Sequence, residues 1–187
     1  MQLVLASRSP QRVRLMREAG YEFKTDPADI DETRYPADLD AVGVAKYLAL
    51  IKARRVAERH PDACVIGADT VVAVGERLLG KPADETDARQ MLGRLGGSTH
   101  RVITGVAVVG PAAEVVDHAV STVTMRALTP DELDAYLASG EWQGKAGGYG
   151  IQDDDPFVEC IDGPTDNVVG LPMELLSTLL TPSGGPP

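Results

Sequence analysis

The chain has 187 residues, 43% hydrophobic and 25% charged, a balance that suits a packed globular core and argues against a disordered or fibrous chain. Its formal net charge of −10 argues against the basic footprint that nucleic-acid phosphates demand, so no nucleic-acid partner is expected. No segment is apolar over the length of a membrane span, and Cys64 and Cys160 show neither metal-ligand nor disulfide spacing, so the expectation is a cytoplasmic protein with two idle thiols and no membrane partner.

Leu3 to Ala6 is a short apolar run without the basic start of a signal peptide, and reads as a buried strand. Ser9 and Pro10 then supply an N-cap and a first helical residue. Val13, Leu15, Met16 and Ala19 form the apolar stripe of that helix, and Gly20 closes it. Residues 26–40 are acidic and proline-containing and read as a loop. Ala41 to Arg59 reads as a helix, and Val65 to Val74 as an apolar strand run interrupted by Asp69-Thr70, followed by a turn at Gly75-Glu76.

Asp84 to Leu95 predicts an amphipathic helix stopped by Gly96-Gly97. Val102, Thr104, Val106 and Val108 alternate as a strand, Val115 to Met125 gives a second, and Gly110-Pro111 separates them. Thr129-Pro130-Asp131-Glu132 is a capping box opening a helix that Gly140 ends. A glycine-rich stretch covers Ala146 to Ile151, an apolar run Val168 to Pro172, and a final helix Met173 to Leu180; residues 183–187 read as a disordered tail after a single domain over 1–182. Strands alternate with helices early and cluster late, which predicts an α/β fold with a mixed, twisted sheet flanked by helices.

Several groups of residues could carry chemistry. Ser7-Arg8-Ser9-Pro10-Gln11-Arg12 opens a helix whose free N–H groups and dipole suit an anion, with hydroxyls and the Arg12 guanidinium beside them; a capped helix that binds nothing is the alternative. Asp69 is a carboxylate inside an apolar strand, costly unless paired or metal-bound, or else a strand-end residue bonded to a turn. Gly75 to Lys81 superficially matches a P-loop, but Pro82 replaces the magnesium-binding hydroxyl and no helix follows at once, leaving Lys81 as a phosphate cation or a solvated lysine.

Asp31-Glu32 would matter if their loop folded towards Asp69, because hard divalent cations prefer carboxylate oxygens; otherwise they are solvated. The glycines of Lys145 to Gly150 permit close approach to a ligand, and Gln152 offers a donor and an acceptor to a base edge. His60, on the surface, and His100 and His118 lack metal-binding spacing. Asp153-Asp154-Asp155 reads as an exposed acidic turn.

In this order the stretches resemble the Maf family of nucleotide pyrophosphatases. Those that carry the resemblance are Leu5-Ala6-Ser7-Arg8-Ser9-Pro10, Asp31-Glu32, Leu48-Ala49 with Lys52-Ala53, Gly67-Ala68-Asp69-Thr70-Val71-Val72, Gly80-Lys81-Pro82, Met91-Leu92, His100-Arg101-Val102 with Thr104-Gly105-Val106, Lys145 to Gln152, and Val169-Gly170-Leu171-Pro172. The resemblance implies an elongated, two-lobed Maf/ITPase-like fold with a central cleft, often a homodimer. It implies hydrolysis of nucleoside triphosphates between the α- and β-phosphates with magnesium or manganese.

Asp69 then matches the catalytic aspartate, and Glu32, Lys52 and Lys81 the other active-site acid and lysines. Asp69 and Glu32 would hold the metal, Ser7 and Arg12 would meet phosphate, and Thr70 and Gln152 match positions linked to substrate choice. The segment Lys145 to Gln152 looks like the branch acting on dTTP and UTP. Gln11 departs from that branch, standing where the first arginine of an Arg-Arg pair is usual, and Asp153 stands where glycine is common. The rival expectations are a pyrophosphatase for modified or purine nucleotides and a non-catalytic nucleotide-binding regulator of cell division.

Overall fold

The structure, a computed structural model, describes residues 2–151 and 157–181. Gln152, the acidic run Asp153-Asp155 and the tail expected over 183–187 lie outside the described residues.

Strand β1 (Leu3–Leu5) leads into α1 (Pro10–Glu18), whose N-cap is Ser9 with proline at the first helical position. β2 (Phe23–Thr25), α2 (Ala41–Ala57), β3 (Cys64–Val74), β4 (Arg77–Leu79) and α3 (Glu85–Leu95) follow. β5 (Thr99–Val109) and β6 (Glu114–Met125) form a long hairpin, and α4 (Pro130–Ser139) opens on the expected capping box at Thr129 and Glu132 and ends at a left-handed Gly140. A short 3₁₀ turn (Ala146–Gly148), β7 (Val158–Asp162), α5 (Thr165–Val169) and α6 (Met173–Leu180) complete the described chain.

The expected mixed sheet is present. Its seven strands run in the order β2-β1-β3-β5-β6-β7, with β4 also paired to β3. β1 is parallel to β2 and β3, and every other pair is antiparallel. Three differences from the sequence reading stand out. β3 runs without a break through Asp69-Thr70, so the polar pair interrupts the apolar pattern but not the backbone. β2, β4 and β7 were not anticipated: two have three residues, too few for a period to register, and β7 carries exposed acids on an edge. The apolar run from Val168 is the last turn of α5 and the turn after it.

α2 packs across one face of the sheet, against an apolar cluster at each end of β3 and β5. The opposite face also carries two clusters. One joins Ile66, Ala68, Val106 and Val108 to α1 and α6; the other joins Val72 and Val102 to α3, α4 and the glycine-rich segment. Between the clusters, on adjacent rungs of the same strands, lie the polar pair Thr70–Thr104 on one face and Asp69 opposite Gly105 on the other.

Along β3, β1 reaches only Cys64–Ile66 and β4 only Val72–Val74, both on the edge away from β5. Residues 67–71 therefore face no strand on that edge, and a cleft of about 780 Å³ opens there.

Candidate active site

Asp69 is buried, 5% exposed, and its partner is Lys52, 4% exposed, whose Nζ lies 2.5 Å from Asp69 Oδ1. Two glycines make that approach possible. A Cβ on Gly67 would sit 2.2 Å from the Ala49 carbonyl oxygen, and one on Gly105 would sit 2.3 Å from that of Ala45. α2 thus lies directly on the backbone of β3 and β5, at the rung where Asp69 faces it, and the lysine reaches the carboxylate without leaving the helix.

The loop over 26–40 supplies the next group. It is anchored where Asp26 N–H donates to the Leu5 carbonyl and the Asp26 carboxylate takes bonds from Arg59 and His60. His60, expected on the surface, is half-buried there as a partner of Asp26. Of the two acids further along, Asp31 accepts from Thr33 and pairs with Arg34 at the surface. Glu32 turns inward: its Oε1 lies 2.8 Å from Lys52 Nζ and its Oε2 2.8 Å from Lys81 Nζ. Burial pushes the Glu32 pKa up, but the two ammonium groups outweigh it and hold the carboxyl at about 2, so it is ionised at neutral pH. Asp69, Lys52, Glu32 and Lys81 form one alternating chain of charges along the cleft.

The other face of β3 is held differently. Arg12 donates from Nε to the Gly170 carbonyl at 2.8 Å, from Nη1 to the Ala68 carbonyl at 2.9 Å and Ser7 Oγ at 3.3 Å, and from Nη2 to Thr70 Oγ1 at 3.1 Å. Burial pulls its pKa below the ordinary value, opposed by Asp69 and Glu32. The expected phosphate cation is therefore first a strut between α1, β3 and the turn before α6. Ser7, buried, accepts from the Ser9 amide, and Gln11 accepts from Ser9 Oγ at the cleft rim. Thr70 meets Thr104 at 2.9 Å; Thr104 donates to the Asn167 carbonyl; the Asn167 amide donates to the Val102 carbonyl and to Ser121.

The glycine-rich segment lines the same cleft. Gly147 N–H donates to the Gly80 carbonyl, and Gly147 and Gly148 both hold a positive φ, so the segment folds tightly against the loop carrying Lys81. The P-loop match is excluded on structure as well, since Gly75 is the turn of the β3–β4 hairpin.

Among the described residues no cluster of three or more His, Cys, Asp or Glu side chains could cage a metal ion. Asp69 and Glu32 nevertheless offer oxygen ligands on either side of Lys52. Two carboxylates suit a magnesium-type ion that keeps its waters and takes its remaining ligands from a phosphate chain.

The structure thus brings together eight of the nine residues singled out, the ninth, Gln152, being outside the described residues. It adds Thr104, Asn167, Gly67 and Gly105, which no motif marked as functional. The glycines stood in view in the sequence, but their use depends on a helix whose packing is not local.

Residues 2–182 match the family described as Maf-like protein. The chain belongs to the Maf family. This Maf-like chain is 44% identical over 186 residues to a protein of Symbiobacterium thermophilum named dTTP/UTP pyrophosphatase, with 99% of this chain and 95% of that one covered. It is 48% identical over 183 residues to a Moorella thermoacetica protein of the same name, covering 95% and 93%. A solved nucleoside-triphosphatase, dITP/XTP pyrophosphatase, of Mycobacterium abscessus is 20% identical, covering 75% of the Maf-like chain and 95% of its own, with a TM-score of 0.44.

Proposed function

We propose that this chain hydrolyses nucleoside triphosphates, dTTP and UTP foremost, to the monophosphate and pyrophosphate. The observation that carries the proposal is the buried Lys52 gripped by Asp69 and Glu32 at the open edge of β3, in a cleft large enough for a nucleotide. The names of the relatives support the reaction and the pyrimidine substrates.

In the reaction, water adds to the α-phosphorus, the bond from that phosphorus to the oxygen shared with the β-phosphate breaks, and pyrophosphate leaves with the electron pair. Asp69 accepts the proton of the attacking water. Lys52 and Lys81, now balanced by carboxylates, face the charge that builds on the transferring and leaving groups, where phosphoryl-transfer catalysis largely resides. Asp69 and Glu32 would hold magnesium or manganese, which when bound supplies further neutralisation of the phosphate oxygens. Ser7 and Gln11 shape the rim where the phosphates enter. A cytoplasmic setting and a homodimer belong to the same proposal.

The test is pyrophosphate release from a panel of normal and modified nucleoside triphosphates, with magnesium and with manganese, beside Asp69→Asn. Release from dTTP and UTP is expected, and its loss in the folded variant. Normal turnover in Asp69→Asn, or silence across the panel, overturns the assignment.

A further inference from the structure

Thr70 lines the cleft, and the hydrogen bonds of its hydroxyl have a direction that can be worked out atom by atom. A threonine hydroxyl has one hydrogen to give and two lone pairs with which to accept. Thr104, 0% exposed, donates to the Asn167 carbonyl at 2.9 Å; a carbonyl cannot donate, so the Thr104 hydrogen is committed there. In the 2.9 Å contact between the two threonines, Thr104 must then accept and Thr70 must donate. The one hydrogen of Thr70 points away from the cleft. Arg12 Nη2 occupies one of its lone pairs at 3.1 Å. What remains to meet a ligand is a single lone pair.

The Asn167 carbonyl is itself fixed. The Asn167 side chain, 0% exposed, donates to the Val102 carbonyl at 3.0 Å and to Ser121 Oγ at 2.9 Å, and Ser121 donates to the Pro164 carbonyl at 2.8 Å. α5 is thereby tied to β5 and β6, and the proton order set at Asn167 is passed through Thr104 to Thr70.

We infer that Thr104 and Asn167 are positioning residues for base selection: they make Thr70 an acceptor-only group, which selects a substrate bearing a hydrogen at the atom it meets. Phosphate oxygens of an ionised nucleotide only accept, so they do not belong at Thr70. Uracil and thymine carry a hydrogen on ring nitrogen N3; cytosine has a bare lone pair there and offers a hydrogen only at its exocyclic amine. Resting on the triphosphatase reading, the inference assigns the uracil or thymine N3–H to Thr70, with cytosine refused because two lone pairs would face each other.

The experiment compares UTP with CTP, in turnover and in binding of their non-hydrolysable α,β-imido analogues, for the wild type, Thr104→Val and Thr104→Ser. Thr104 does not line the cleft, and valine keeps its shape while removing the acceptor that holds the Thr70 hydrogen. In Thr104→Val that hydrogen is free to turn into the cleft, and the preference for UTP over CTP is expected to fall about tenfold or more, the order of one buried hydrogen bond. Thr104→Ser restores the hydroxyl and should restore the preference, which also keeps the test decisive if the valine variant folds poorly.

An unchanged UTP-to-CTP ratio in a folded Thr104→Val protein, or a wild type that binds both analogues equally, overturns the inference. So does a Thr104→Ser protein that folds but has lost the preference. Binding with the expected preference but without hydrolysis would remove the enzymatic reading and leave the selection mechanism standing.

Discussion

Asp69 and Thr70 are consecutive residues of β3, yet they live by different physics because a strand sends neighbours to opposite faces. On the α2 face, Asp69, Lys52, Glu32 and Lys81 are joined by ion pairs whose members an incoming metal and phosphate chain can take over. On the other face, Arg12, Thr70, Thr104 and Asn167 are joined by directed bonds between mostly neutral groups, anchored on backbone carbonyls. A charge network can be rearranged by a ligand of matching charge; a directed network keeps its geometry and discriminates. One strand can therefore present both to a single cleft, provided its edge is open at that rung, as β3 is between β1 and β4.

The largest effect that would break this division comes from Lys52→Ala. It leaves a buried carboxylate at Asp69 without its ammonium partner and takes one of the two lysines from Glu32. Removing one partner of a buried ion pair costs about 3–5 kcal/mol, and turnover should fall about 100-fold or more. Urea unfolding and UTP kinetics check both, and a variant with wild-type stability and turnover would mean that Lys52 neither supports the fold nor serves the reaction. Gly105→Ala comes next. Its new methyl would press on the α2 backbone, with a cost of about 1–3 kcal/mol and a loss of kcat as Lys52 withdraws from Asp69. Full activity there would show that the close packing of α2 is not what sets the ion pair.

What was legible in the sequence follows the same division. Local signals carried α1 with its Ser9 cap, α3, the capping box of α4 and the β5–β6 hairpin, because each is written in residues that touch one another along the chain. Asp69 was legible as an anomaly, an acid in an apolar run. Glu32 and Lys81 were candidates that read equally as solvated side chains, and Lys52 acquired a role only through the family resemblance, since lysines and acids on helices and loops look solvated until the fold joins them. Thr104 read as one polar member of an alternating strand, and Asn167 as nothing in particular. Their function rests on contacts 34 and 63 residues apart in the chain, at Thr70–Thr104 and Thr104–Asn167, which no periodicity encodes.

Arg12→Lys sharpens the comparison from the directed side. Lysine keeps the positive charge but lacks the planar fork, so it cannot hold the Gly170 and Ala68 carbonyls and Thr70 together. If the face works by geometry, the variant should lose about 1–3 kcal/mol of stability, with KM for UTP rising more than kcat falls. Wild-type stability with intact KM would reduce Arg12 to a charge, and the two faces to one kind of network.

The smallest expected effect concerns pH, and it assigns mild-acid sensitivity to the directed face. Glu32 is held at about 2, below its ordinary value of 4.5, so the stability it contributes is complete above 4.5 and declines as pH falls from 4.5 to about 2. The charged face should therefore be indifferent to mild acid through Glu32. His100 behaves differently. It is 2% exposed, its Nε2 meets the Tyr149 hydroxyl at 2.6 Å, and burial lowers its pKa from 6.5 to about 4. The unfolded chain takes up the proton first, so the stability His100 allows is complete above 6.5 and declines as pH falls from 6.5 to about 4. His100→Gln keeps a partner for Tyr149 without a titrating ring. Urea midpoints measured between pH 7.5 and 4.5 should slope downward less in the variant than in the wild type. Equal slopes would mean that His100 does not carry that sensitivity.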